Sequence, residues 1–129
     1  MTTARVFQCP EPNAENQAYW DAAAEGRLLV KHCATCGNSH FYPRAICPHC
    51  FSDQTEWRES RGAGSIYSFS VMRRVAQPYA IAYVALDDGV TVMSNIVDCD
   101  LDALAIGQRV KVAFRPSNGS LMIPVFVPA

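Results

Sequence analysis

Residues 31–50 read KHCATCGNSHFYPRAICPHC, and the two Cys-x-x-Cys pairs inside this stretch decide the fold. The first pair is Cys33 and Cys36, the second Cys47 and Cys50, with ten residues between them. Each pair makes a tight turn that points both sulfurs at one centre, and two such turns gather four thiolates around a tetrahedral ion. Gly37 follows the first pair, where a positive φ closes the turn, and Pro48 stiffens the second. The separation is shorter than the commonest zinc spacing but reads as a zinc ribbon or rubredoxin-like knuckle pair. The competing reading is two disulfides in a small secreted domain.

The rest of the chain favours metal. No basic segment followed by an apolar run opens the sequence, so no secretory signal is expected. No apolar run approaches the length of a membrane span. The expectation is therefore a cytoplasmic protein with no membrane partner, where thiols stay reduced and ligate metal. A closed four-sulfur site leaves no position for water, so Zn²⁺ there is expected to be structural. His32, His40 and His49 lie near the cysteines but are not needed as ligands. Cys9 and Cys99 lack a Cys-x-x-Cys partner and read as free thiols.

A chain of 129 residues, half of them hydrophobic, fits one domain or a small module with a satellite. The formal net charge is −1. Four thiolates and one Zn²⁺ shift it to about −3. That balance is poor for binding a phosphate backbone, so a nucleic-acid partner is not expected.

Three segments follow. Residues 1–26 read as an extended arm and then a helix over 13–26, with Asn13 as N-cap, Glu15 in the first turn and Gly26 as the stop. Tyr19, Trp20, Ala23 and Ala24 share a helix face, which covers either this chain's own core or a partner. Residues 27–57 read as the ribbon, with Leu28–Val30 entering the first knuckle and Phe41–Pro43 returning. Metal supplies much of the stability of so small a unit, roughly 10–16 kcal/mol in isolated fingers.

Residues 58–129 read as β. Tyr67, Phe69 and Val71 alternate with Ser68 and Ser70. In YAIAYVAL, Tyr79, Ile81 and Tyr83 face one way and Ala80, Ala82, Val84 and Leu86 the other. Asp87-Asp88-Gly89 turns into VTVMSNIV. A short helical piece capped by Asp100 and stopped by Gly107 precedes RVKVAFR and LMIPVFV. Pro124 is expected to put the last strand at an edge or at a bulge. The predicted class is mainly β with an N-terminal helix: a rubredoxin-like zinc ribbon followed by a five-stranded OB-fold barrel.

These features together resemble a bacterial and archaeal family of small acyl-CoA-associated proteins built from a zinc ribbon and an OB-fold. The resemblance covers nearly the whole chain. It rests on YWDAAAEGRLLVKHC, CATCG, FYPRAICPHC, GAGSIYSFSV, PYAIAYVALDDG and ALAIGQRVKVAF. It implies a non-catalytic subunit that pairs with a thiolase-fold enzyme or a hydratase and helps hold or channel acyl-CoA in lipid, sterol or related metabolism.

The residues offer matching chemistry. Arg73 and Arg74 stand together near a strand end, and paired guanidiniums grip phosphate. Tyr79 or Trp20 would stack on adenine. The plainer readings are a solvated arginine pair and core aromatics.

No nucleophile elbow, phosphate loop, zinc-protease helix or dinucleotide fingerprint occurs, so no independent turnover is expected. Asp98, Asp100 and Asp102 read as caps or solvent-facing groups. Two rivals stand beside the accessory-subunit reading. One is a single-stranded nucleic-acid binder stacking bases on Tyr67, Phe69 and Tyr83. The other is an iron-binding, rubredoxin-like electron carrier, since a Cys₄ site accepts either ion.

Overall fold

The computed structural model describes residues 6–129. The expected arm at residues 1–12 therefore lies partly outside the described residues. Its visible part docks on the barrel. Phe7 bridges Ser117, its carbonyl accepts the Asn118 N–H at 2.8 Å, and the Cys9 N–H reaches Asn118 Oδ1 at 2.8 Å.

The regular helix α1 spans Gln17–Ala24, one turn later than the sequence reading. Asn13 and Asn16 close the preceding turn reciprocally. Each side-chain oxygen accepts the other's backbone N–H, at 2.7 and 3.0 Å. At the far end Gly26 has φ +76°, and the N–H groups of Gly26 and Arg27 return to Ala23 and Ala22. That pairing is a Schellman stop, which needs the left-handed residue that glycine supplies. Tyr19, Trp20, Ala22 and Ala23 are buried in this chain's own core, and Ala24 is exposed. The helix packs on the ribbon's first strand and on the barrel's last, so it bridges the two modules. Glu15 does not serve the helix dipole. It accepts the Ala45 N–H at 2.8 Å and pairs with Arg44 at 3.5 Å, which fastens the helix to the ribbon.

The ribbon is a three-stranded antiparallel sheet in the order β2-β1-β3, with β1 Leu28–Cys33, β2 Ser39–His40 and β3 Thr55–Ser60. The return strand is only two residues long. Phe41 and Tyr42, expected to continue it, leave the sheet and pack on the helix, with ring centroids 5.6 and 5.9 Å from Tyr19. The third strand, TEWRES, was not read from the sequence. It pairs with β1 from Leu28↔Ser60 to Cys33↔Thr55.

The barrel contains β4 Ala63–Met72, β5 Tyr79–Leu86, β6 Thr91–Ile96, β7 Arg109–Pro116 and β8 Met122–Pro128. Its closed order is β4-β5-β6-β8-β7. A single 3-10 turn, Leu101–Ala103, links β6 to β7, and Asp100 caps it by accepting the Asp102 N–H at 3.0 Å. Ile66, Val84, Val110 and Phe126 fill the interior. Ala80 and Ala82 also face inward, on the same face as Val84.

Two details depart from the sequence reading. The register shifts between Ile66 and Ser68, so Tyr67 is the extra residue of a bulge. A bulge inverts the alternation beyond it. Tyr67 therefore stands in solvent, while Phe69 and Val71 turn to the core. Also, β8 is not an edge strand. It lies between β6 and β7, and its parallel pairing with β6 is reduced to Ile96↔Phe126, away from Pro124.

Candidate metal centre and apolar face

The four cysteines predicted to bind metal come together. Their sulfurs all lie within 4.8 Å of one another. Cys33 and Cys50 are 3.6 Å apart, and Cys36 and Cys47 3.7 Å. A tetrahedron with Zn–S bonds of about 2.3 Å has edges of about 3.8 Å, so the set fits a four-thiolate zinc site. No histidine joins it among the described residues.

The knuckles hold this geometry through their backbones. The Cys36 N–H points at Cys33 Sγ, and the His49 N–H at Cys47 Sγ, at 3.5 and 3.4 Å. Such bonds favour the thiolate. The Cys33 thiol is held below its ordinary value, first by the Cys36 N–H. Asn38 Nδ2 lies 3.6 Å from Cys36 Sγ. Thr35 Oγ1 and Ser52 Oγ meet at 2.7 Å across the two turns. Cys33 and Cys47 are fully buried and Cys36 and Cys50 exposed, and because four sulfurs fill the shell the ion would tie the ribbon together rather than meet a substrate.

The residues proposed for acyl-CoA fall in two places. Arg73 and Arg74 lie just beyond β4, both exposed, and Arg73 pairs with Asp102 at 2.8 Å. Tyr79 begins β5 opposite Met72 and lines an open groove of about 730 Å³ with Gln77, Asn95 and Arg115. Trp20 is only 7% exposed and lines a different groove, of about 470 Å³. The two arginines line neither groove.

The second groove exposes a feature that sequence alternation alone missed. Its walls are Tyr19, Trp20, Phe41 and Tyr42 from the helix and ribbon, and Tyr83, Met93 and Ile123 from the barrel. Tyr83 and Met93 are cross-strand partners, 49% and 61% exposed, and Tyr67 at the bulge is 67% exposed. An apolar strip therefore crosses β4, β5 and β6 and runs into the groove. The base-stacking platform of Tyr67, Phe69 and Tyr83 is broken, because the bulge sends Phe69 inward. No helix among the described residues is long and apolar enough to cross a membrane.

Comparison with known proteins places these parts. Residues 20–56 match the ChsH2 rubredoxin-like zinc ribbon domain, and residues 57–115 the ChsH2 C-terminal OB-fold domain. The chain is 40% identical over 95 residues to a DUF35 domain-containing scaffold protein of Methanothermobacter thermautotrophicus, covering 68% of this chain and 71% of that protein. It is 32% identical over 125 residues to a probable enoyl-CoA hydratase alpha subunit of Thermomonospora curvata. That match covers 93% of this chain but only 39% of the longer relative. Among solved structures, a chain of an Ltp2-ChsH2(DUF35) aldolase superposes with a TM-score of 0.81 at 31% identity, over 93% of this chain and 98% of that one. A DUF35-family protein from Sulfolobus solfataricus shares the fold, with a TM-score of 0.64 at 16% identity over 90% and 86% of the two chains.

Proposed function

The chain belongs to the DUF35 family of zinc-ribbon and OB-fold proteins, and from that premise we propose that it is a non-catalytic accessory subunit. In this reading it scaffolds a thiolase-fold enzyme or a hydratase and helps position that enzyme's acyl-CoA substrate. The observation that supports it most is the uncovered strip of Tyr67, Tyr83 and Met93 running into the aromatic groove. Large apolar side chains clustered on one face are the usual mark of an interface. The metal site agrees, since a filled four-sulfur shell has no coordination site for substrate.

Within this reading Arg73, Arg74 and Tyr79 supply the phosphate and adenine contacts from one hairpin, and Trp20 acts as a groove wall. Arg73 must leave Asp102 to do so, an exposed pair whose loss costs little.

A tagged pull-down from the native host, with mass spectrometry, tests the scaffold role. A thiolase-fold or hydratase protein in near-equal amount is the expected companion, and Met93→Lys should reduce its recovery. Recovery of nucleic acid, or of no stable companion, would move the assignment to a free-standing binding module. The acyl-CoA contacts fail separately if Arg73→Ala combined with Arg74→Ala leaves the assembled complex's affinity for acyl-CoA unchanged.

A further inference from the structure

The second knuckle repeats the first with one departure. Cys33 and Cys47 donate their N–H groups to the carbonyls of Asn38 and Ser52, both at 2.9 Å. The carbonyls of the same cysteines accept the N–H groups of Gly37 and Phe51, again both at 2.9 Å. The residue closing each turn is left-handed, with φ +77° at Gly37 and +65° at Phe51. Glycine adopts that conformation freely, whereas a Cβ there crowds the following carbonyl.

Phe51 nevertheless occupies the position, and the residue is 79% exposed. Two separate penalties meet in one residue, a strained backbone and an aromatic ring in water. Exposure that high leaves almost no packing within the chain to offset either. Gly37 shows the relaxed form of the same turn in the same fold. Ile46, one residue before Cys47, is also 48% exposed. Strain retained at a residue that glycine would relieve points to a role for the side chain itself.

We infer that Phe51 is an anchor that inserts its ring into an apolar pocket of the enzyme subunit this chain accompanies. The inference rests on the accessory-subunit reading above. Aromatic anchors in pockets carry much of the affinity of protein interfaces. The knuckle holds the stem of the ring in place, so little freedom is lost on docking. Four thiolates around a divalent ion also leave a net charge of about −2 behind the ring. That charge disfavours a phosphate-bearing partner and favours an uncharged protein pocket.

The test uses the full zinc-loaded chain and the purified enzyme subunit recovered with it, with Kd measured by titration calorimetry. Phe51→Gly should match or exceed the native thermal midpoint while raising Kd at least tenfold. Phe51→Leu should recover most of the affinity without relieving the backbone. Opposite signs for stability and affinity do not arise from a structural role. A glycine variant that binds as tightly as the native chain, or that loses stability along with affinity, overturns the anchor and leaves the scaffold role standing. A native chain that captures no enzyme subunit overturns both.

Discussion

Ser60, the last residue of the ribbon's third strand, donates its hydroxyl hydrogen to the carboxylate of Asp88 in the barrel's β5–β6 turn. The same oxygen accepts the Gly62 N–H at 3.0 Å. One buried hydroxyl thus joins the ribbon, the two-residue link and the barrel. Ser60→Ala leaves the buried Gly62 N–H unmatched, while the exposed Asp88 turns to water, and should lower stability by about 1 kcal/mol. Denaturant unfolding of the zinc-loaded protein measures this, and an unchanged midpoint would mean that the junction does not depend on the bond.

Removing the metal should unfold the ribbon and spare the barrel. Each ribbon strand runs into or out of a knuckle, whereas the barrel closes through its own ladders. Chelation or Cys47→Ser should abolish hydrogen-exchange protection in 28–33 and 55–60 and retain it in the barrel strands. Metal analysis of the native protein should find one zinc per chain, without visible colour. A reversible visible absorbance would instead indicate iron.

Gly64 lies against the neighbouring strand. A Cβ there would sit 2.4 Å from the Ala85 carbonyl oxygen and 3.0 Å from Leu86 Cα, both backbone atoms. Gly64→Ala should cost about 2–3 kcal/mol, because neither strand can yield easily. Gly89 has open space around it but φ +94°, so Gly89→Ala should cost about 1 kcal/mol from backbone strain alone. Thermal midpoints in that order check the argument, and equal losses would contradict it.

His40 should make the fold sensitive to mild acid. Its Nε2 accepts the Arg44 N–H at 3.3 Å, and its Nδ1 is buried without a partner. Burial first, then the charges of His49, Lys31 and Arg44, hold its pKa below the ordinary 6.5. The folded state therefore binds fewer protons than the unfolded state just below that value. Stability from this residue is complete above about pH 6.5 and is lost as the pH falls through the lowered folded value. Between about pH 7.5 and about pH 5.5, His40→Gln should lose less stability than the native chain, with zinc content checked at both. Parallel losses would remove His40 as the cause.

The parts legible in advance were those where one residue type has one physical use. Cysteine spacing located the four-sulfur cluster, Gly26 the helix stop, and alternation put Ala80, Ala82 and Val84 on one face, which the closed barrel turns inward. The missed parts depend on partners distant in the chain. Thr55–Ser60 is a charged segment with no apolar run, and it becomes a strand because the knuckles deliver it beside β1. Phe69 and Val71 part from the face of Tyr67 because of a bulge. The helix face was open between core and partner until β8 came to lie against it. Phe51 in a left-handed turn follows from no propensity; only its repeat of Gly37 exposes it.

The barrel's strand order carries a consequence for biosynthesis. The ribbon is complete once Ser60 has left the ribosome, whereas the barrel waits for its last strand to slot between β6 and β7. Domains form in the order in which they are made. The ribbon can therefore take its zinc before the barrel exists. A chain made without zinc would leave Leu28, Leu29 and Val30 uncovered beside a formed barrel, so its abundance should fall when the metal is scarce, before any partner has been met.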